Sequence, residues 1–260
     1  MIGLSFHRGE PNSNRSTGRL ALLGAAAGVV AGMFMAMFMM IWTAVSGAGF
    51  WAPLNVGVAS LAFRIVPPAS LMPMMAKMMP AHPVMPLAKA AMAVQSGHAT
   101  NAQIATFMKA MPLGARNMVM SAMPVQAGHL LVGALLHLAF SAVLGAALGL
   151  AVAALARLDV PATAGRAMVV AGALIGSAAL FIIQESVVMP SLDPIMTVLP
   201  HGVFFLAHIV FGLVLGAGGV VAAGALNAAA PRSANGGEAV VGTAPVVGTP
   251  SSLKTATTGR

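Results

Sequence analysis

Four long apolar runs alternate with polar connections along this chain, and the apolar residues come in blocks rather than at strand or helix period. From Leu20 to Val45 no charged residue interrupts a run of 26 positions. Coiled as a helix, that run reaches roughly 39 Å, enough to cross hydrocarbon with some tilt. Arginines precede it and Ser46-Gly47-Ala48 follows, flanks that also suit a secretory signal peptide. The apolar region of such a peptide is only about 7–15 residues long, so a transmembrane span is predicted instead. Three further runs cover about 130–156, 167–188 and 203–226. The predicted fold class is therefore all-α, an integral membrane four-helix bundle with spans at about 20–45, 130–156, 167–188 and 203–226.

The connections differ in character. Residues 1–19, with Arg8, Arg15 and Arg19, read as a short cytoplasmic tail. Residues 227–260 are rich in Ala, Gly, Ser, Thr and Pro without an aromatic residue, the composition of a disordered tail. Residues 46–129 form a long outer loop that opens on Phe50-Trp51, an aromatic pair suited to a membrane interface. Within it, 54–66 is apolar, broken by Arg64 and too short to cross, which predicts an interfacial or re-entrant helix. A second helix is predicted over Asn101–Met111.

Charge then orients the bundle. The connection between spans two and three carries Arg157, Asp159 and Arg166, whereas that between three and four carries Asp193 and no Lys or Arg. The positive-inside rule places the former in the cytoplasm, so both termini lie inside. The first loop carries five basic residues and falls outside, but loops of that length are largely exempt from the rule.

Spans two and four share a pattern. His137, Phe140, Val143, Leu144, Gly145 and Ala146 coincide with His208, Phe211, Val214, Leu215, Gly216 and Ala217 at a constant offset. Spans one and three share Ala27-Gly28-x-x-x-Gly32 and Ala171-Gly172-x-x-x-Gly176. Two tandem two-span repeats of equal orientation would produce this; so would chance likeness between Ala/Gly/Leu-rich helices. In either case small residues four apart let helix backbones approach closely in lipid. Gly28/Gly32, Ser141/Gly145/Gly149, Gly172/Gly176 and Gly212/Gly216 are the expected packing faces, within the chain or in a homo-oligomer or with another membrane protein.

Composition sharpens the class: 58% of residues are hydrophobic and 7% charged, too little polar surface to cover a water-soluble globule of this size. Without cysteine, disulfides, thiolate metal sites and cysteine nucleophiles are excluded. The net charge of +8 reports topology and contact with lipid headgroups. The basic residues are dispersed and no tyrosine is present to stack on bases, so nucleic acid is not an expected partner. No nucleophile-elbow, zinc-protease, phosphate-loop or dinucleotide motif occurs, and the reading is non-enzymatic.

Ionisable groups inside a bilayer are costly and usually face the bundle interior. His137, His208, Gln184 and Glu185 all fall near the outer ends of their spans and are expected to cluster in the outer third of the membrane. Such a set can lock helices by hydrogen bonds. It can also ligate a metal or a haem iron, relay protons, or serve in small-solute transport.

Methionine is the compositional oddity: 21 in all, 17 of them between Met33 and Met123. Met72, Met74, Met75, Met78, Met79, His82 and Met85 are densest, a soft donor set that suits Cu(I). Against a copper site stand the helical spacing of Met72, Met75 and Met79 and the methionines of span one, which mark a general enrichment that fills apolar gaps.

The order of features resembles uncharacterised bacterial inner-membrane proteins of the YagU type. The features are a glycine-rich first span, a long outer loop, His137-x-x-Phe140-Ser141, a Gly/Ala-rich third span ending at Pro190, and His208 in the last span. The resemblance covers about residues 20–226 in outline and implies a multi-span membrane protein with no catalytic residues to carry over. The Met-rich loop and the low-complexity tail depart from it.

Overall fold

A computed structural model describes residues 13–65, 67–71, 73, 77, 83–155 and 161–229. Those residues are helical, turn or coil, with no strand among them. Four helices are long and apolar enough to cross a membrane: Thr17–Val45, Ala127–Leu155, Thr163–Leu192 and His201–Gly224. They lie in α1 (Ser13–Val45), α5 (Ala127–Leu155), α6 (Ala162–Ile183, prolonged by a π turn and a last helical turn to Leu192) and α7 (His201–Ala229). The chain is a multi-pass membrane protein built on a four-helix bundle.

The bundle is turned inside out relative to a soluble one. Leu22, Phe34, Ile41, Leu131, Phe140, Ile175, Ile182 and Val221 all point outward into open surroundings. With no charged residue among them, these faces suit hydrocarbon, and the helices meet their backbone hydrogen bonds internally, as a bilayer demands.

The tightest helix pair is α1 with α5, running antiparallel. Gly24, Gly28 and Gly32 of α1 oppose Gly149, Gly145 and Ser141 of α5 in that order. A Cβ at Gly145 would stand 2.7 Å from the Cα of Gly28, so only glycine allows the backbones to touch. The α6–α7 pair is also antiparallel, with Gly212 against Ala173 and Ser177 and Gly216 against Val170 and Ala173. Gly218 of α7 closes on Ala27 of α1, joining the two hairpins.

Here the structure departs from one expectation. Gly172 and Gly176 are exposed and a Cβ on either would meet nothing, because α6 turns the neighbouring register, Ala173 and Ser177, to its partner. One residue of register rotates a helix face by about 100°. The offset pair Phe140 and Phe211 likewise diverge, the first exposed and the second buried.

The described residues between the first two spans are folded. At the chain ends of the bundle a small cluster forms around Leu20, Val152, Ala153 and Val169. The larger core lies at the opposite end, where Met35 and Met39 of α1, Val203, Phe204 and Ala207 of α7 and Ile195 and Val198 meet a helical cap. The cap contains α2 (Met85–Gln95), α3 (Asn101–Lys109) and α4 (Leu113–Ser121). Thr100 caps α3 in a reciprocal box with Gln103, and Gly97 (φ +73°) makes the turn from α2 that an L side chain would strain. The helix predicted over Asn101–Met111 is thus present with a slightly earlier end. The segment predicted as an interfacial or re-entrant helix becomes a π turn, Pro53–Gly57, and a 3-10 turn, Val58–Leu61, with every residue of the π turn buried. Irregular backbone is tolerated at such a place because protein covers it.

Candidate functional site

Four of the polar residues predicted to cluster do lie toward the cap end, and they divide into separate contacts. His137 donates from Nε2 to the carbonyl of Gly32, 2.9 Å away on α1, above the glycine contact of that pair. His208 is 1% exposed, its ring edge-on to Phe204 and Phe181 at centroid distances of 4.5 and 5.6 Å. Its Nδ1–H serves the Phe204 carbonyl (2.8 Å). A neutral ring then accepts at Nε2, where the Gln184 side-chain amide lies 2.5 Å away and can turn its NH2 toward the ring. Ser177 of α6 donates to the backbone carbonyl of His208. Each histidine therefore ties its own helix to the antiparallel neighbour.

Glu185 is not part of that arrangement. Its carboxylate pairs with Nδ1 of His201 at the start of α7, a residue the span pattern did not single out because it stands at the apolar boundary. The π turn Gln184–Val188 explains the split: the widened turn sends Gln184 inward to His208 and Glu185 toward His201 at the start of α7. Of the expected His137, His208, Gln184 and Glu185 set, Gln184 does meet His208, whereas Glu185 is engaged by His201 instead.

Of the methionine set, Met85 opens α2 and is exposed. Met72, Met74, Met75, Met78, Met79 and His82 lie outside the described residues. Elsewhere methionine fills core: Met35, Met39, Met108, Met111, Met120, Met123 and Met189 are buried among apolar neighbours. Among the described residues no three His, Asp or Glu side chains converge on a common point.

The cap holds a second polar framework, made by residues of little individual distinction in the sequence. Asn101 donates to the carbonyls of Ser60 and Phe63 (3.0 Å each) and accepts from the Ile65 amide (2.9 Å). Asn55 donates to the Pro124 carbonyl (3.1 Å) and accepts from the Gln126 amide (3.0 Å), fixing the start of α5. Asn117 holds the end of α1 through the Ser46 carbonyl (2.8 Å), and Arg116 reaches the Val198 carbonyl (2.9 Å). Asp193, 4% exposed, accepts from the Ser60 hydroxyl, and burial pushes its carboxyl up to about 6.

Beside Asn55 a cleft of about 170 Å³ opens, walled by Arg64, Gln126 and His129 over an apolar floor that includes Ile65 and Met123. The His129 ring stacks on Phe63 at 4.4 Å. Arg64 donates one N–H to the Gly97 carbonyl.

The class these observations define is a multi-pass membrane protein whose bundle carries a folded polar cap at one end. The chain matches no family model, no curated protein and no solved structure.

Proposed function

We propose that this chain is a non-enzymatic protein of the bacterial inner membrane whose bundle is a rigid platform for the helical cap, held on the outer face. The observation that carries the reading is the engagement of His137 and His208. Their bonds run to the Gly32 carbonyl and the Gln184 amide on the antiparallel neighbour, the geometry of an interhelical tie. The charge asymmetry of the connections, with Arg157 and Arg166 between the second and third spans and no Lys or Arg between the third and fourth, supports N-in and C-in. The outline shared with YagU-type proteins supports the bacterial inner membrane. The lipid bilayer is the first partner, and a homo-oligomer or another membrane protein can use the outward small-residue face of Gly172 and Gly176.

The test is thermal unfolding of the purified protein in mild detergent, with elemental analysis and a visible spectrum of the same sample. His137→Ala and His208→Ala are expected to lower the melting temperature, each losing a tie of roughly 1 kcal/mol and leaving buried polar groups unmet. Unchanged melting in both variants would refute the interhelical role. Stoichiometric copper or a haem band would replace it with a metal or haem function.

A further inference from the structure

We propose that the cleft between Arg64, Gln126 and His129 binds a phosphate group. Three independent features of the cap point there. The first is size: about 170 Å³ is comparable to cavities that take a benzene-sized guest, so a phosphate fits with room for water. The second is donor chemistry. Arg64 spends one N–H on the Gly97 carbonyl, and its remaining guanidinium donors form the planar fork that suits oxyanions. Gln126 and His129 add an amide and an imidazole, and the first-turn N–H groups of α5 beyond Gln126 have no acceptor within their own helix. The Phe63 ring and the Asn55 bond to the Gln126 amide hold that end of α5 and His129 in place before any ligand arrives.

The third is charge. Residues 46–129 contain Arg64, Lys77, Lys89, Lys109 and Arg116 and not one Asp or Glu. The acids nearest the cap from the bundle side are already engaged, Asp193 by Ser60 and Glu185 by His201. No carboxylate lines the cleft to satisfy Arg64 from within. A cationic, acid-free surface of this kind draws anions and repels other cations. The phosphate can belong to an anionic lipid headgroup or to a soluble phosphate, since both offer the same acceptors.

This inference deepens the platform reading and rests on it only for the side of the membrane on which the cleft opens. Failure of the histidine experiment would leave phosphate binding measurable, and failure here would leave the bundle ties intact.

The experiment uses full-length protein. Inorganic phosphate is titrated calorimetrically in neutral detergent against chloride at matched ionic strength. Melting is then compared in nanodiscs of phosphatidylcholine with and without phosphatidylglycerol. Arg64→Gln and His129→Phe test the cleft, the latter keeping the stack on Phe63; Lys109→Gln removes an equal charge from the far end of α3. The expected result is a Kd at least tenfold weaker, or loss of the lipid-dependent rise in melting temperature, in Arg64→Gln and His129→Phe alone. Binding of inorganic phosphate assigns a soluble source, and a response confined to phosphatidylglycerol assigns the headgroup. Equal weakening by Lys109→Gln, or no Arg64-dependent response to either probe, would overturn the proposal.

Discussion

Replacing Gly145 by alanine tests the α1–α5 contact with the smallest possible change. The new methyl would stand 2.7 Å from the Cα of Gly28, and closer still to the carbonyl oxygen of Gly24. Ordinary contact begins at 3.4 Å, and every atom in the way is backbone. No side chain can swing aside, so the two helices must part by roughly 0.7 Å or more along that line. A gap of 0.5–1 Å forfeits about a quarter to a half of each dispersion contact it opens. The separation also stretches the His137 bond to Gly32, one turn along the same interface. Overpacking of this kind costs about 1–3 kcal/mol, against which the better helix propensity of alanine returns at most about 1. A net loss of roughly 1–2 kcal/mol is expected for Gly145→Ala. Gly172→Ala is the matched control: the same substitution on a helix of the same bundle, where the methyl meets nothing. Unfolding in mixed detergent micelles, with both variants measured beside the parent protein, supplies the comparison. Equal stability of the two variants would refute the close backbone approach of α1 and α5.

Two further outcomes follow from the cap. Asp193 holds its proton more firmly in the folded protein than in the unfolded chain, with a pKa raised from 3.8 to about 6. Its contribution to stability is therefore full below about pH 4 and lost as the pH rises through 6. Melting of the parent protein should fall across that window, and Asp193→Asn should flatten the profile; an unchanged slope in the variant would remove Asp193 as its source. Asn101→Ala breaks three bonds to the 60–65 segment and strands their backbone partners, at a cost of about 2 kcal/mol or more. Limited proteolysis should then cut near residues 60–65 first, and a cleavage pattern like that of the parent would contradict the bracing role.

How much of this could be read beforehand varies with the range of the interaction. Gly28, Gly32, Ser141, Gly145 and Gly149 were legible as a packing face because four-residue spacing is a local property of a helix. Gly24 continues the same spacing one turn earlier and completes the contact. Gly172 and Gly176 carry an identical signal and point elsewhere, since spacing shows that a face exists and not which neighbour it meets. The pairing of Glu185 with His201 depended on the π turn at Gln184–Val188, which no residue pattern announced. Ser60 and Asp193 stand 133 residues apart and meet in the cap, a pairing that no local pattern joins.

The apolar runs by themselves determined four spans, and the reason is solvation: a helix in hydrocarbon satisfies its backbone internally and forms whatever its neighbours do. The same runs determined that the outward faces are apolar, because Glu185 is their one Asp, Glu, Lys or Arg. Only the tertiary structure decided how each helix is rotated, which turns Ala173 and Ser177 rather than Gly172 and Gly176 toward α7. Only it gathered Asn55, Arg64, Gln126 and His129 around one cleft. Lateral contacts and a cap of short helices gain their stability from packing against distant segments, and that information is spread over the whole chain rather than written at any one stretch of it.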